Sequence, residues 1–181
     1  MWIEVKIPYE PGRKLADAYN RAMKTARSRW VLLLDQDVFL CNPRWYQMCL
    51  NAIAQVDKGI KAGLIVCMTG GSKQKVLQRV SSVDSSDIDY HISLARSLYQ
   101  QYGNELKEID TTITGFFMLV RRQAWKKVQF HAMGSGVGGV DIDFSKRLLE
   151  AGFTIWLMTG LYVYHRRGLR KLKFNVEKPG E

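Results

Sequence analysis

Three groups of residues in this chain have types and spacings that chemistry can use. The first is Asp35 and Asp37, separated by Gln36, at the end of the apolar run WVLLL. Such a run reads as a strand buried on both faces, where a carboxylate is costly unless something pairs with it. Two carboxylates two residues apart at a strand end can face one side of a turn. There a hard cation such as Mg²⁺ or Mn²⁺ takes oxygen ligands and bridges them to phosphate. A simple turn or loop-cap role is the alternative. The second group is His165, which closes LYVYH. An imidazole can complete a Mn²⁺ site that already holds carboxylates, or bond to backbone at a strand end. The third is GSGVGGVDIDFSKRLLEAG, whose glycines allow a loop to close over a substrate and whose Asp141 and Asp143 open a helix. Carboxylates there either complement the helix dipole or act as a general base on a hydroxyl. Thr114 and Gly115 precede another apolar run, where a small residue lets a ligand lie against the backbone. Arg121 and Arg122, at the far end of that run, are candidates for phosphate contact.

Alternating elements must position these groups. IEVKIP, WVLLLD, AGLIVCMTGG, ITGFFMLVRR, FTIWLM and LYVYH read as strands. RKLADAYNRAMKTARS, NPRWYQMCLNAIAQVDKG, DIDYHISLARSLYQQYG, RQAWKKVQF and VDIDFSKRLLEAG read as helices, several with glycine at the C-terminal end. SKQKVLQRVSSVDSSD fits either irregular strand or exposed loop. Strands alternating with helices predict an α/β fold with a mainly parallel central sheet flanked by helices. Ligands collect at the carboxyl ends of strands in such folds, and Asp35, Asp37 and His165 all fall at such ends.

With 181 residues the chain is long enough for one domain with a real core, here residues 1–168, followed by a basic tail at 169–181. No apolar run approaches the roughly 18 residues of a membrane span. The start, MWIEVKIPYEPG, lacks the pattern of a secretory leader, so a cytoplasmic location is expected. Cys41, Cys49 and Cys67 form no C-x-x-C pair and are expected to be buried free thiols. The net charge of +10 suggests an anionic partner. Much of it lies in HRRGLRKLKFNVEK, which is either a lipid-surface or phosphate-binding tail or a solvated terminus. The basic residues are not interleaved with stacking aromatics, which argues against nucleic acid.

The order of the pieces is more specific than any one of them. AYNRAMKTARSRWVLLLDQDV, TGFFMLVRRQAWKKV, GGVDIDFSKRLLEAGFTIWLM and VYHRRG, over residues 15–168, resemble the family 2 glycosyltransferases of GT-A fold. The resemblance implies a nucleotide-sugar donor, with a UDP-sugar favoured, and Mn²⁺ or Mg²⁺. It implies that Asp35 and Asp37 are the D-x-D pair. Asp35 would contact the donor ribose, and Asp37, with His165, would hold the metal. Gly115 would be the small residue beside donor and acceptor sugars, and Asp141 the base of an inverting transfer to an acceptor hydroxyl. The acceptor, a glycan, lipid-linked or protein group, is expected over residues 84–110 and 131–139. The sequence departs from the family in its short stretch before the D-x-D strand and in Val140, where glutamate is common. A metal-dependent phosphodiester enzyme and a non-catalytic, nucleotide- or glycan-binding transferase are the alternatives.

Overall fold

The computed structural model describes residues 1–9, 15–59, 61–70, 77–81, 85–132 and 139–166. Strand β2 (Trp30–Leu34) is buried at all five positions, as its unbroken apolar run requires. It pairs in parallel with β1 (Ile3–Lys6) and antiparallel with β7 (Phe117–Arg121). Beyond β7 lies β4 (Ala62–Gly70), antiparallel to it, and then β8 (Thr154–His165), parallel to β4. The two-residue β3 (Val38–Phe39) pairs antiparallel with the end of β8. β5 (Arg79–Ser81) pairs with the end of β4, and β6 (Leu106–Ile109) runs against the first half of β8. Strands β1, β2, β4 and β8 therefore point one way and β7 points against them. The α/β fold with a largely parallel sheet that the sequence predicts is the one observed.

Alternation along β2 sends Val31 and Leu33 to one face and Trp30, Leu32 and Leu34 to the other. The first face packs against α1 (Leu15–Thr25), α4 (Arg122–Val128) and α5 (Val140–Glu150), through Tyr19, Met23, Trp125, Phe144 and Leu148. The second packs against α2 (Trp45–Val56), through Met48, Cys49 and Ile53. A smaller cluster joins α3 (Ile88–Tyr102) to the end of β8, with Ala95 and Leu98 against Tyr162 and Tyr164. Cys41, Cys49 and Cys67 are buried and free, as expected. Desolvation pushes the Cys49 thiol up to about 12 and Cys67 well above the usual thiol range, so neither is a nucleophile at neutral pH.

FTIWLM and LYVYH, expected as two strands, form one twelve-residue strand, β8. Its register against β4 slips between the pairs Cys67–Met158 and Met68–Tyr162, so the extra residues are absorbed as an irregularity in the strand rather than as a turn. Gly160 sits in this stretch. A side chain there would overlap the carbonyl oxygen of Gly103 and lie 3.0 Å from its backbone N and C. Gly103 itself ends α3 with φ +54°, a conformation that favours glycine. Because the obstacle is backbone, Gly160→Ala is expected to lower stability by roughly 1–3 kcal/mol, read as a shifted urea midpoint with unchanged slope.

Candidate active site at the strand ends

Reversal of β7 brings its N-terminal end to the rim where β2, β4 and β8 end. The rim residues therefore come from strands far apart in sequence. The Asp35 N–H donates to the Phe116 carbonyl at 3.0 Å, which fixes the exit of β2 against the entry of β7. The chain then turns, with Val38 N–H on the Asp35 carbonyl at 3.3 Å, and enters β3. Val38 pairs with His165, and the Arg166 N–H donates to the Asp37 carbonyl at 2.9 Å. This short ladder lays the end of β8 alongside the Asp-Gln-Asp turn.

The imidazole Nε2 of His165 consequently lies 3.1 Å from Asp37 Oδ1 and 3.7 Å from Asp35 Oδ2. One ligand atom from each of the three residues falls within 4.8 Å of the others. Asp37 is buried, while Asp35 and His165 are partly exposed. The Tyr19 hydroxyl, from α1, donates to Asp35 Oδ1 at 3.4 Å, and the Phe116 ring lies 5.6 Å from the His165 ring. Two carboxylates this close repel each other, and burial raises the cost. The donor set of two carboxylate oxygens and one imidazole nitrogen fits Mg²⁺ or Mn²⁺. Asp35, Asp37 and His165 would be the residues that hold such an ion, which would supply positive charge between the two carboxylates. The Nε2 atom that faces the carboxylates would be the ligating atom, after loss of any proton it carries.

Asp141 lies on the same rim. Its Oδ2 accepts the Gly115 N–H at 2.6 Å, one residue from the Phe116 carbonyl that holds Asp35. A Cβ on Gly115 would come within 2.7 Å of Asp141 Cβ and 3.2 Å of Oδ2. Glycine is thus required here by the aspartate itself, whatever ligand also approaches. Asp141 is partly exposed, with one oxygen held by backbone and the other not needed for that contact. Asp143 is used differently. Its carboxylate takes the Arg147 guanidinium at 2.6 and 2.8 Å, and Arg147 in turn donates to the Val128 and Gln129 carbonyls. It fastens α5 to the end of α4.

Arg121 and Arg122, read as candidates for phosphate contact, lie at the opposite rim because β7 runs in reverse. Arg121 is buried, donates to the Gly59 carbonyl at 3.0 Å and faces Asp57 at 3.8 Å; Arg122 reaches the Arg27 carbonyl. Of the expected acceptor region, residues 84 and 133–138 lie outside the described residues, as does the tail at 169–181.

Gln78 carries no sequence signal, yet the structure gives it a position in the site. Its side chain is buried, and its Oε1 accepts the Thr114 N–H at 2.8 Å and the Thr114 hydroxyl at 3.3 Å. Its Nε2 donates to the Cys67 carbonyl at 3.2 Å. It ties the residue before Gly115 to the end of β4. Gln78→Leu keeps the volume but orphans the Thr114 N–H, a loss of about 1–3 kcal/mol in stability. The same change should loosen the Gly115–Asp141 contact; a urea melt and amide hydrogen exchange at Gly115 in the purified variant check both.

Comparison with solved structures identifies the fold. A mycobacterial protein aligns with TM-score 0.53 at 17% identity, over 92% of this chain and 48% of its own. Glucosyl-3-phosphoglycerate synthase from Mycobacterium tuberculosis, solved with Mg²⁺ and uridine diphosphate, aligns with TM-score 0.53 at 16% identity, over 92% of this chain and 51% of its own. The chain spans about half the length of these structures. No curated protein matches the sequence. The architecture is the GT-A fold. It belongs to glycosyl transferase family 2, whose family model matches residues 3–129.

Proposed function

We propose that the protein transfers a sugar from a nucleoside-diphosphate donor, a UDP-sugar by preference, to an acceptor hydroxyl with inversion at the anomeric carbon. The observation that carries this is the meeting of Asp35, Asp37 and His165 within 4.8 Å on the rim that also carries Gly115 and Asp141. Asp37 and His165 would hold Mg²⁺ or Mn²⁺, and the Mg²⁺ and uridine diphosphate of the mycobacterial synthase support that donor class. The bound ion supplies electrostatic stabilisation of the departing diphosphate. Asp35, steadied by Tyr19, faces the donor ribose. Asp141 takes the proton of the acceptor hydroxyl while that oxygen forms its bond to the anomeric carbon. The bond from that carbon to the diphosphate oxygen breaks, and the nucleoside diphosphate leaves with the electron pair. Gly115 fixes the carboxylate through its N–H, leaving the second oxygen to receive the proton.

Acceptors of three kinds fit: a glycan, a lipid-linked group or a protein hydroxyl. The basic residues 169–181 favour an acceptor at an anionic membrane surface, with the enzyme peripheral to it. No described helix is long and apolar enough to cross a membrane. Flotation with anionic vesicles should retain the full chain and lose the chain truncated after residue 166; equal retention of both rejects this part. The transfer itself is tested with UDP-, GDP- and dTDP-sugars, with and without Mn²⁺. Failure of every donor to bind by calorimetry in the presence of metal defeats the proposal.

A further inference from the structure

We propose that the cavity between the turn that leads into α2 and helix α3 is a second anion site, separate from the rim, that takes the phosphate group of a small molecule. The cavity has a volume of about 350 Å³, at the low end of the range for small-molecule sites. Arg44, Arg96, Tyr99 and Gln100 line it together with Ile92 and Asn42, and no acidic residue does. Among the described residues neither Arg44 nor Arg96 is in an ion pair. Two guanidiniums lining one cavity, with no carboxylate in the lining, suit a phosphate, whose several oxygens match their forked donors.

Asn42, also in the lining, is 7% exposed; its side-chain N–H donates to the Met48 sulfur at 3.5 Å and its Oδ1 accepts the Arg44 N–H at 2.9 Å, which holds the backbone of Arg44 at the cavity edge. The first turn of α2 contains no acidic residue, which leaves the positive end of the helix unopposed beside Arg44. Ile92 and the Tyr99 ring supply apolar wall for the rest of the ligand.

The cavity is distinct from the metal-type cluster. Cys41, which lines it, packs with Tyr164 and Leu98 on the α3 side of β8. Successive side chains of a strand point to opposite faces, so His165 faces away from that cluster and toward Asp37. The two sites flank the β3–β8 edge and are joined by the chain from Val38 to Cys41.

Calorimetry with inorganic pyrophosphate, in EDTA so that no cation can recruit it to the rim, tests the inference without using activity. Wild type should bind one equivalent saturably. Arg44→Ala and Arg96→Ala should each weaken it about tenfold, and the double variant should abolish it. Both residues are exposed, so the fold should survive, and melting curves verify that. Asp37→Asn and the charge control Lys58→Ala should bind as wild type. Absence of saturable binding in the millimolar range overturns the proposal. So does binding that ignores both arginines, or that falls equally in Lys58→Ala. Malonate binding more tightly than pyrophosphate overturns the assignment to phosphate.

Discussion

Asp141→Asn is expected to cut the transfer rate by roughly 10²–10⁴ while donor affinity stays unchanged. The substitution is well suited to separate chemistry from structure. Asparagine keeps the size of the side chain, and its carbonyl oxygen can still accept the Gly115 N–H that Asp141 Oδ2 takes at 2.6 Å. What it lacks is a basic oxygen for the acceptor proton. Melting temperature should therefore be close to wild type, and calorimetry with donor should give the same isotherm. Single-turnover transfer carries the loss. A variant that transfers at the wild-type rate removes Asp141 from the chemistry; one that also loses donor binding makes it a structural residue.

The second large effect is expected at Asp37. Its carboxylate is buried, 3.1 Å from the His165 imidazole and in a cluster with Asp35. Asp37→Asn removes a charged oxygen from the proposed metal site and, with it, part of the repulsion between two neighbouring carboxylates. The two consequences have opposite signs, which makes the experiment informative. In EDTA the variant should be as stable as wild type or more so. With Mn²⁺ at a hundred times its dissociation constant, wild type should gain about 2.7 kcal/mol and the variant nearly nothing. Turnover should fall by roughly 10²–10³, the usual cost of losing one preorganised electrostatic contact. Thermal melts with and without Mn²⁺, and manganese paramagnetic resonance to count free ion, measure this. A variant stabilised by Mn²⁺ as much as wild type would falsify the assignment of Asp37 as a ligand.

Legibility of the fold in the sequence followed the strength of its periodic signals. β2 is an unbroken apolar run and β7 is one as far as Val120, with Arg121 at its end; both are buried throughout. Helix α3 shows its apolar stripe and its terminal Gly103, and forms Ile88–Tyr102. The signals fail where pairing, rather than composition, makes the strand. β3 is only Val38–Phe39 and exists because it meets Tyr164 and His165. β6 is LKEI, with charges inside it, and is held by the first half of β8. Gly160 marks a close approach to Gly103, and sequence shows the glycine but not its neighbour.

In the candidate site, strand-end polar residues were visible because carboxylates and a histidine stand out against apolar runs. Their convergence on one rim is a matter of topology. The reversed direction of β7 decided that Gly115 joins Asp141 there and that Arg121 and Arg122 do not. Gln78 was invisible because a lone glutamine in an irregular stretch has no pattern; only its hydrogen bonds to Thr114 and Cys67 give it a place.

The position of β8 has a consequence for how the protein acquires its site as it folds. β8 pairs with β4, β6 and β3. Its last residue meets Asp37 across 128 residues of sequence. Contacts of such separation form slowly, since chain closure precedes any gain from packing. During synthesis at about 5–20 residues per second, the Asp-Gln-Asp turn leaves the ribosome several seconds before the histidine. Through that interval the nascent chain carries the carboxylates without the imidazole, and β4 has an open edge where β8 will lie. The site is assembled by the same late docking that seals the sheet, so a chain stalled before β8 has neither a closed fold nor a complete Asp35, Asp37 and His165 cluster.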